Sequence, residues 1–175
     1  YISDKIRIID YSIDLLSSNN HINEIIVVVP KGWEAIIKQE NPNCKIVIGG
    51  SNRTESVFEG LKVCSKKTKN VIIHDAARPF INHDFINNIL IKLLNFDAII
   101  PVIPNFDSVV KIKNNNLEYV DREKIKFVQT PQGFSYKMIF NAYNKNNNIS
   151  SFSDDMSLLL SFYNKINFLI LDAIK

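Results

Sequence analysis

Four short apolar runs rich in β-branched residues, Ile25–Val29, Lys45–Ile48, Val71–His74 and Ala98–Val102, are separated by stretches whose apolar side chains recur three and four residues apart. Such runs suit strands buried on both faces of a sheet, and the intervening spacing gives a helix one buried face. Residues 5–18 carry Ile6, Ile9, Ile13 and Leu16 on a face of this kind, and Trp33–Ile37 reads as a shorter helix. Arg53–Cys64 follows with Val57, Leu61 and Cys64 inward, then Asn82–Leu94 with Phe85, Ile86, Ile89, Leu90 and Leu93 inward. Strand alternating with helix predicts an α/β domain whose mostly parallel sheet is covered by helices on both faces.

The alternation breaks between Ser108 and Val128. Ser108–Lys113 and Leu117–Asp121 read as short, polar-mixed strands around Asn114-Asn115-Asn116, residues that tolerate left-handed geometry. This hairpin has too few apolar residues to bury a face within one monomer. It is expected to project as an arm and to pack on something else, a two-fold partner being the commonest candidate. Tyr136–Asn144 returns to helix, Asn146–Asn148 is a loop, Ser153 caps a helix running to Phe162, and Phe168–Leu171 is a last strand. Neither an internal repeat nor a domain boundary is visible, so residues 1–175 are expected to form a single domain with its arm at 108–128.

Composition narrows the function. The 175 residues, 46% hydrophobic and 22% charged, suffice for one core, and a net charge of +3 gives no reason to expect nucleic acid or a membrane as partner. Cys44 and Cys64 have neither metal-ligand spacing nor a disulfide framework, which suits a reducing compartment. The cytoplasm is the expected location, or a plastid-like organelle in a eukaryote. Lysine outnumbers arginine 17 to 4. In a chain that fills cationic positions with lysine, each arginine invites a reason, because only a planar guanidinium makes bidentate contacts with phosphate. Arg7 is expected on a solvated helix face; Arg53, Arg78 and Arg122 fall in segments singled out on other grounds.

The most specific of those segments is His74-Asp75-Ala76-Ala77-Arg78-Pro79, at the end of a buried strand. Ligands of open α/β sheets sit beyond such strand ends. Asp75 suits a metal or a hydroxyl and Arg78 a phosphate, while the alanines let a ligand approach the backbone; a structural Asp–Arg pair is the plainer alternative. Gly49-Gly50-Ser51-Asn52-Arg53-Thr54-Glu55-Ser56 joins a strand to a helix. Either it is an ordinary turn, or Ser56 and the Gly50 and Ser51 backbone read the edge of a base beside free helix N–H groups. Gln129-Thr130-Pro131-Gln132-Gly133-Phe134 supplies more hydrogen-bonding groups than a turn needs. Ser153-Asp154-Asp155 is either a helix cap or a binder of substrate hydroxyls through Asp154 or Ser153.

Together these segments resemble the 2-C-methyl-D-erythritol 4-phosphate cytidylyltransferases of the non-mevalonate isoprenoid pathway. The matching residues are Gly49-Gly50-x-x-Arg53-x-x-Ser56-Val57-x-x-Gly60-Leu61, His74 through Pro79, Val120-Asp121-Arg122, Thr130-Pro131-Gln132 and Ser153-Asp154-Asp155. The resemblance implies a Rossmann-like domain, a homodimer joined through the β-arm, CTP and a polyol phosphate as substrates, and Mg²⁺ as cofactor. It also implies roles. Gly50, Ser51 and Ser56 would meet the cytosine with Arg53 supporting their loop, and Ala77 would lie by the nucleotide. Asp75, Arg78, Thr130, Ser153 and Asp154 would face the methylerythritol phosphate, with Asp75 also the metal ligand. Arg122 would hold the substrate phosphate from across the dimer, and Ser108 stands where the family usually has threonine.

There are departures from the family pattern. Such enzymes open with a strand, a Gly-rich loop carrying a catalytic arginine, and a Pro-Lys-Gln; Tyr1-Ile2-Ser3 resembles what comes just after that lysine. Residues 1–175 alone are therefore expected to be nearly inactive. Ile103–Phe106 is longer than the usual link before Asp107, and Lys175 is either the family's substrate-positioning lysine or precedes it. A ribitol 5-phosphate cytidylyltransferase and a non-catalytic nucleotide-binding remnant are the rival readings; Val120-Asp121-Arg122 and Ser153-Asp154-Asp155 favour the isoprenoid enzyme.

Overall fold

The computed structural model describes residues 6–146 and 148–173. In chain order its elements are α1 (Ile8–Ser17), β1 (Ile26–Val29), α2 (Glu34–Glu40), β2 (Lys45–Ile48), α3 (Arg53–Lys62), β3 (Asn70–Ile73), α4 (His83–Lys92) and β4 (Ala98–Pro104). There follow β5 (Val109–Lys113), β6 (Asn116–Val120), β7 (Lys126–Val128), β8 (Gln132–Ser135), α5 (Tyr136–Lys145), α6 (Asp155–Phe162) and β9 (Phe168–Asp172).

β4 organises the body because its residues alternate between two apolar layers. Ala98, Ile100 and Val102 face a core formed with Phe134, Ile139, Ala142, Leu158 and Leu159, whereas Ile99 faces Phe85 and Ile89 of α4 and Leu93 just past its end. Each large side chain buried there contributes about 1.5–3 kcal/mol, so helices α5 and α6 are held on one face and α4 on the other. A third cluster joins Val27 and Val29 of β1 to Ile13 of α1 and Ile37 of α2. Helix α3 covers the opposite face of β1, where an added Cβ at Gly60 would stand 3.0 Å from Val28. The α/β architecture thus has helices on both faces, as the alternation predicts.

Pairing differs from the expected sheet in its antiparallel share. β1 and β2 are parallel, as are β4 and β9. β8 inserts antiparallel between β3 and β4, and β7 pairs antiparallel with Val102–Pro104 of β4. Neither β7 nor β8 was expected as a strand. Gln132-Gly133-Phe134-Ser135 has no β-branched residue, and its burial comes from its neighbours. β4 also runs two residues past Val102, since the β7 ladder carries it to Pro104.

Three other boundaries move for local reasons. Asn114 (φ 48°) and Asn115 (φ 65°) both adopt left-handed geometry, giving a two-residue hairpin in which Asn116 already pairs with Lys113. α2 extends to Glu40 through polar residues that carry no periodic signal. Helix α6 is capped by Asp154, not Ser153: the Asp154 carboxylate accepts from Ser157 N at 3.0 Å, and the Ser157 side chain returns to the Asp154 backbone.

Gly133 tests the α4 layer. A Cβ there would meet Ile89 Cγ2 at 2.7 Å and Leu93 Cδ1 at 2.9 Å, both in a closed core. Gly133→Ala should therefore destabilise the protein by roughly 1–3 kcal/mol through overpacking. The measurement is the denaturant midpoint at unchanged slope; an unshifted midpoint would show that α4 can retreat without cost.

Candidate active site

β3 stops at Ile73, and Asp75 to Arg78 fold into a turn closed by Arg78 N donating to Asp75 O at 3.0 Å. Thr130, just ahead of β8, holds this turn: its Oγ1 accepts from Asp75 N at 3.1 Å and lies 3.3 Å from His74 Nδ1. His74 Nε2 is 3.1 Å from the Arg78 carbonyl oxygen. A carbonyl only accepts, so Nε2 carries the proton, Nδ1 accepts, and the Thr130 hydroxyl donates to it. Burial pushes the His74 imidazolium below its ordinary value, in keeping with a neutral ring.

The Asp75 carboxylate lies between two guanidiniums. Arg53 Nε donates to Oδ1 at 3.0 Å, and Arg78 Nε stands 3.6 Å from Oδ2. Gln129 Oε1 accepts from Arg78 Nη1. Beside them opens a cavity of about 300 Å³ lined by Ala77, Arg78, Phe80, Phe85 and Thr130 among others. A larger hollow, about 520 Å³, lies away from this cluster and is lined by Lys38 and Lys45. Both of those ammoniums are already taken up by backbone carbonyls.

The Gly-rich loop is closed by a residue not anticipated from the sequence. Glu55 reaches back so that its Oε2 accepts from Ser51 N at 2.9 Å and Ser51 Oγ at 2.5 Å, and its Oε1 from Asn52 Nδ2 at 2.9 Å. The Ser51 bonds hold the Glu55 carboxyl below its usual range. An added Cβ at Gly50 would come within 2.3 Å of Glu55 Cβ, so the absent side chain makes way for Glu55 itself. Asn52 caps α3 through Glu55 N at 2.8 Å, and Ser56 Oγ donates to Asn52 O at 2.7 Å, keeping its lone pairs as acceptors. Gly50 and Ser51 are exposed.

Two adjacent acids at the start of α6 have different partners. Asp154 spends Oδ1 on the cap and Oδ2 on Gln132 Nε2 at 3.1 Å, which is the capping alternative for this segment; Ser153 is exposed ahead of it. Asp155 is fully buried, taking Arg53 Nη2 at 2.9 Å and the Tyr143 hydroxyl at 2.5 Å. Burial opposes the Arg53 charge, but Asp155 and Asp75 outweigh it and hold the guanidinium protonated above its ordinary value. Burial and then the Asp155 charge push the Tyr143 hydroxyl well above the usual phenol range, so it remains a donor.

Arg53, Asp75, Arg78 and Thr130 are thus brought together, with Ala77 on the same turn. Ser108 is exposed ahead of β5, and Arg122 donates from Nη1 to Phe106 O at 3.3 Å at the base of the hairpin. Among the described residues no hydrogen bond or ion pair joins either to Asp75. Lys175 lies outside the described residues. His74, Gln132, Tyr143 and Asp155 belong to the network but were not singled out as site residues. Tyr143 reads simply as a core position of α5, and Asp155 stands beside the more obvious cap.

A model of the family described as IspD: 2-C-methyl-D-erythritol 4-phosphate cytidylyltransferase matches residues 4–167. The bifunctional enzyme IspD/IspF of Pelagibacter ubique is 38% identical over 158 residues, 89% of this chain but 42% of that protein. The 2-C-methyl-D-erythritol 4-phosphate cytidylyltransferase of Alkaliphilus oremlandii is 35% identical over 163 residues, 87% of this chain and 69% of that one. Among solved structures, 4-diphosphocytidyl-2C-methyl-D-erythritol synthase from Anaerococcus prevotii superposes with a TM-score of 0.85 at 28% identity, covering 97% of this chain and 79% of that one.

The depressed His74 value has a consequence for stability. Between the folded value and about 6.5, the unfolded chain takes up a proton that the folded chain refuses. The His74 contribution is therefore complete above about pH 6.5 and declines as pH falls below it. Unfolding at about pH 7.5 and about pH 5.5 should show a smaller acid-side loss for His74→Gln than for the parent protein. Equal losses would mean that His74 is not held neutral.

Proposed function

The chain belongs to the 2-C-methyl-D-erythritol 4-phosphate cytidylyltransferase family, and on that premise we propose that the protein joins CTP to 2-C-methyl-D-erythritol 4-phosphate. The products are 4-diphosphocytidyl-2-C-methyl-D-erythritol and pyrophosphate. Residues 1–175 are read as one nucleotidyltransferase domain carrying its arm. The observation that supports the reading most is the Asp75 cluster: two arginines of a lysine-rich chain meet one carboxylate at a strand end, beside an open cavity.

In the proposed reaction an oxygen of the polyol phosphate attacks the α-phosphorus of CTP in line. A new P–O bond forms as the bond to the β-phosphate oxygen breaks, and positioning with charge stabilisation supplies most of the rate. Arg78 faces phosphoryl oxygens, and Asp75, Thr130 and Ser153 face the polyol. Gly50, Ser51 and Ser56 take the cytosine, with Arg53 behind their loop and Ala77 beside the nucleotide. Glu55 must release Ser51 for the backbone N–H to reach a base. Magnesium, when bound, offsets charge on the phosphoryl oxygens. It needs only one or two carboxylates, the rest being water and substrate phosphate, and Asp75 fits as that single acid. Among the described residues no cluster of three or more His, Cys, Asp or Glu that could hold a metal ion is present.

The arm supports a homodimer. Register puts Val110 opposite Tyr119 and Ile112 opposite Leu117, so four large apolar side chains share one hairpin face. Ile112, Leu117 and Tyr119 are 75%, 63% and 76% exposed, a face that a second copy would cover. Arg122, at the arm's base, would then complete the partner's phosphate site. The described residues include no helix long and apolar enough to cross a membrane, and cytoplasmic location remains part of the proposal.

Three measurements test this. Pyrophosphate release by the full-length protein should be much faster with methylerythritol phosphate than with ribitol 5-phosphate; the reverse preference would reassign the substrate. Arg78→Lys should lower the rate by roughly 10²–10³ with the fold intact, because an ammonium cannot replace a fork. Normal turnover by the folded Lys variant would make Arg78 structural. Finally, Arg122→Ala and Asp75→Ala, each inactive, should regain up to about a quarter of parent activity when mixed and allowed to exchange subunits, since one hybrid site keeps both residues. No recovery despite demonstrated heterodimers would remove Arg122 from a shared site.

A further inference from the structure

We infer that Tyr143 and Asp155 are positioning residues for Asp75, acting through Arg53. The inference rests on the proposed role of Asp75 toward the polyol phosphate. It starts in the core, where the Tyr143 ring is 1% exposed and stacks on Phe58 with centroids 5.6 Å apart. Phe140 backs Phe58 at 6.0 Å. Packing therefore fixes where the Tyr143 hydroxyl lies, and its raised proton affinity keeps it a donor. The hydroxyl meets Asp155 Oδ1 at 2.5 Å.

Asp155 has no exposed surface. A buried carboxylate is stable only with its oxygens satisfied, and this one has Tyr143 on Oδ1, Arg53 on Oδ2 and the start of helix α6 around it. Asp155 in turn fixes one edge of Arg53. With Nη2 on Asp155, the guanidinium reaches Asp75 through Nε alone, at Oδ1. Oδ2 is left with only the longer ion pair to Arg78, at 3.6 Å, in a side chain that is 34% exposed. Without Asp155 the same fork is free to close on both oxygens of Asp75, the geometry guanidinium and carboxylate prefer. The buried pair thus divides one arginine between two acids and leaves the outer acid half free.

The experiment uses the full-length protein with Tyr143→Phe, which keeps the stacked ring, and Asp155→Asn. Steady-state turnover should show KM for the polyol phosphate raised roughly tenfold, as for one lost hydrogen bond, with KM for CTP within about twofold. A second readout does not depend on the reaction. Tyr143 and Asp75 share no hydrogen bond, yet the unfolding cost of Tyr143→Phe should differ between the parent and Asp75→Asn backgrounds. Additive costs overturn the inference, as does a Tyr143→Phe enzyme whose two KM values are unchanged or rise together. A parent protein inactive on the polyol phosphate overturns the proposed function instead, and the coupling measurement still decides the inference.

Discussion

Because β3 and β8 run antiparallel with Ile73 opposite Gln132, residues leaving one strand meet residues entering the other. Continued past the last ladder pair, that register sets Asp75 level with Thr130, and the Asp75 N to Thr130 Oγ1 bond is the result. The loop that delivers Thr130 also delivers Gln129, whose side chain fixes Arg78. Gln129 N is tied to Pro101 O of β4 at 2.8 Å, so the Arg78 contact is referred to the central strand and not to a free loop. A slip of one residue between β3 and β8 would turn Phe134 out of the core and dissolve the Thr130 contact together. Fold stability and site geometry therefore rest on the same pairing.

Electrostatics adds a second layer. Asp75 and Asp155 are both acidic and both lean on Arg53, yet one is a third exposed and the other has no exposed surface. In the interior an unpaired charge is costly, and the surrounding groups make the buried ion tolerable, not stabilising in its own right. The arrangement separates the tasks. Asp155 is immobilised by the core, while Asp75 keeps solvent on one side and is the member able to exchange partners. Glu55, like Asp75, is half-buried, and it engages the Ser51 loop through a carboxylate that a ligand at this loop would have to displace.

The legible parts of this design were those with strong local chemistry. The β-branched runs gave β1 to β4, and the Asp75–Pro79 segment was specific enough to mark the strand end. The three asparagines at 114–116 announced the hairpin, although only the first two form its turn. What stayed hidden depended on tertiary context. Gln132-Gly133-Phe134-Ser135 is a strand only because two neighbours accept it and α4 presses on Gly133. Ser153 and Asp154 are equally good caps on paper; the Gln132 side chain, brought by β8, favours the second. Glu55 stood unremarked in the very motif it closes, and nothing in a helix-face tyrosine such as Tyr143 signals that its hydroxyl meets a buried acid.

The arm belongs to the same mechanical unit. β7 returns from the hairpin by pairing Val128 with Val102 and Lys126 with Pro104, and the next two residues are Gln129 and Thr130. Its outgoing limb leaves from the other end of that ladder, where Asn105 holds the turn through Asp107 N at 3.1 Å and Asp107 O at 2.8 Å. The chain that returns from the apolar face of Val110, Ile112, Leu117 and Tyr119 therefore passes through β7 directly to Gln129, the Arg78 partner. A hairpin hinged on a flexible loop would bury its apolar face equally well without fixing anything. Zipping its return limb onto β4 costs the chain an extra ladder of order, and that ladder fixes where Gln129 and Thr130 enter the site beside Asp75.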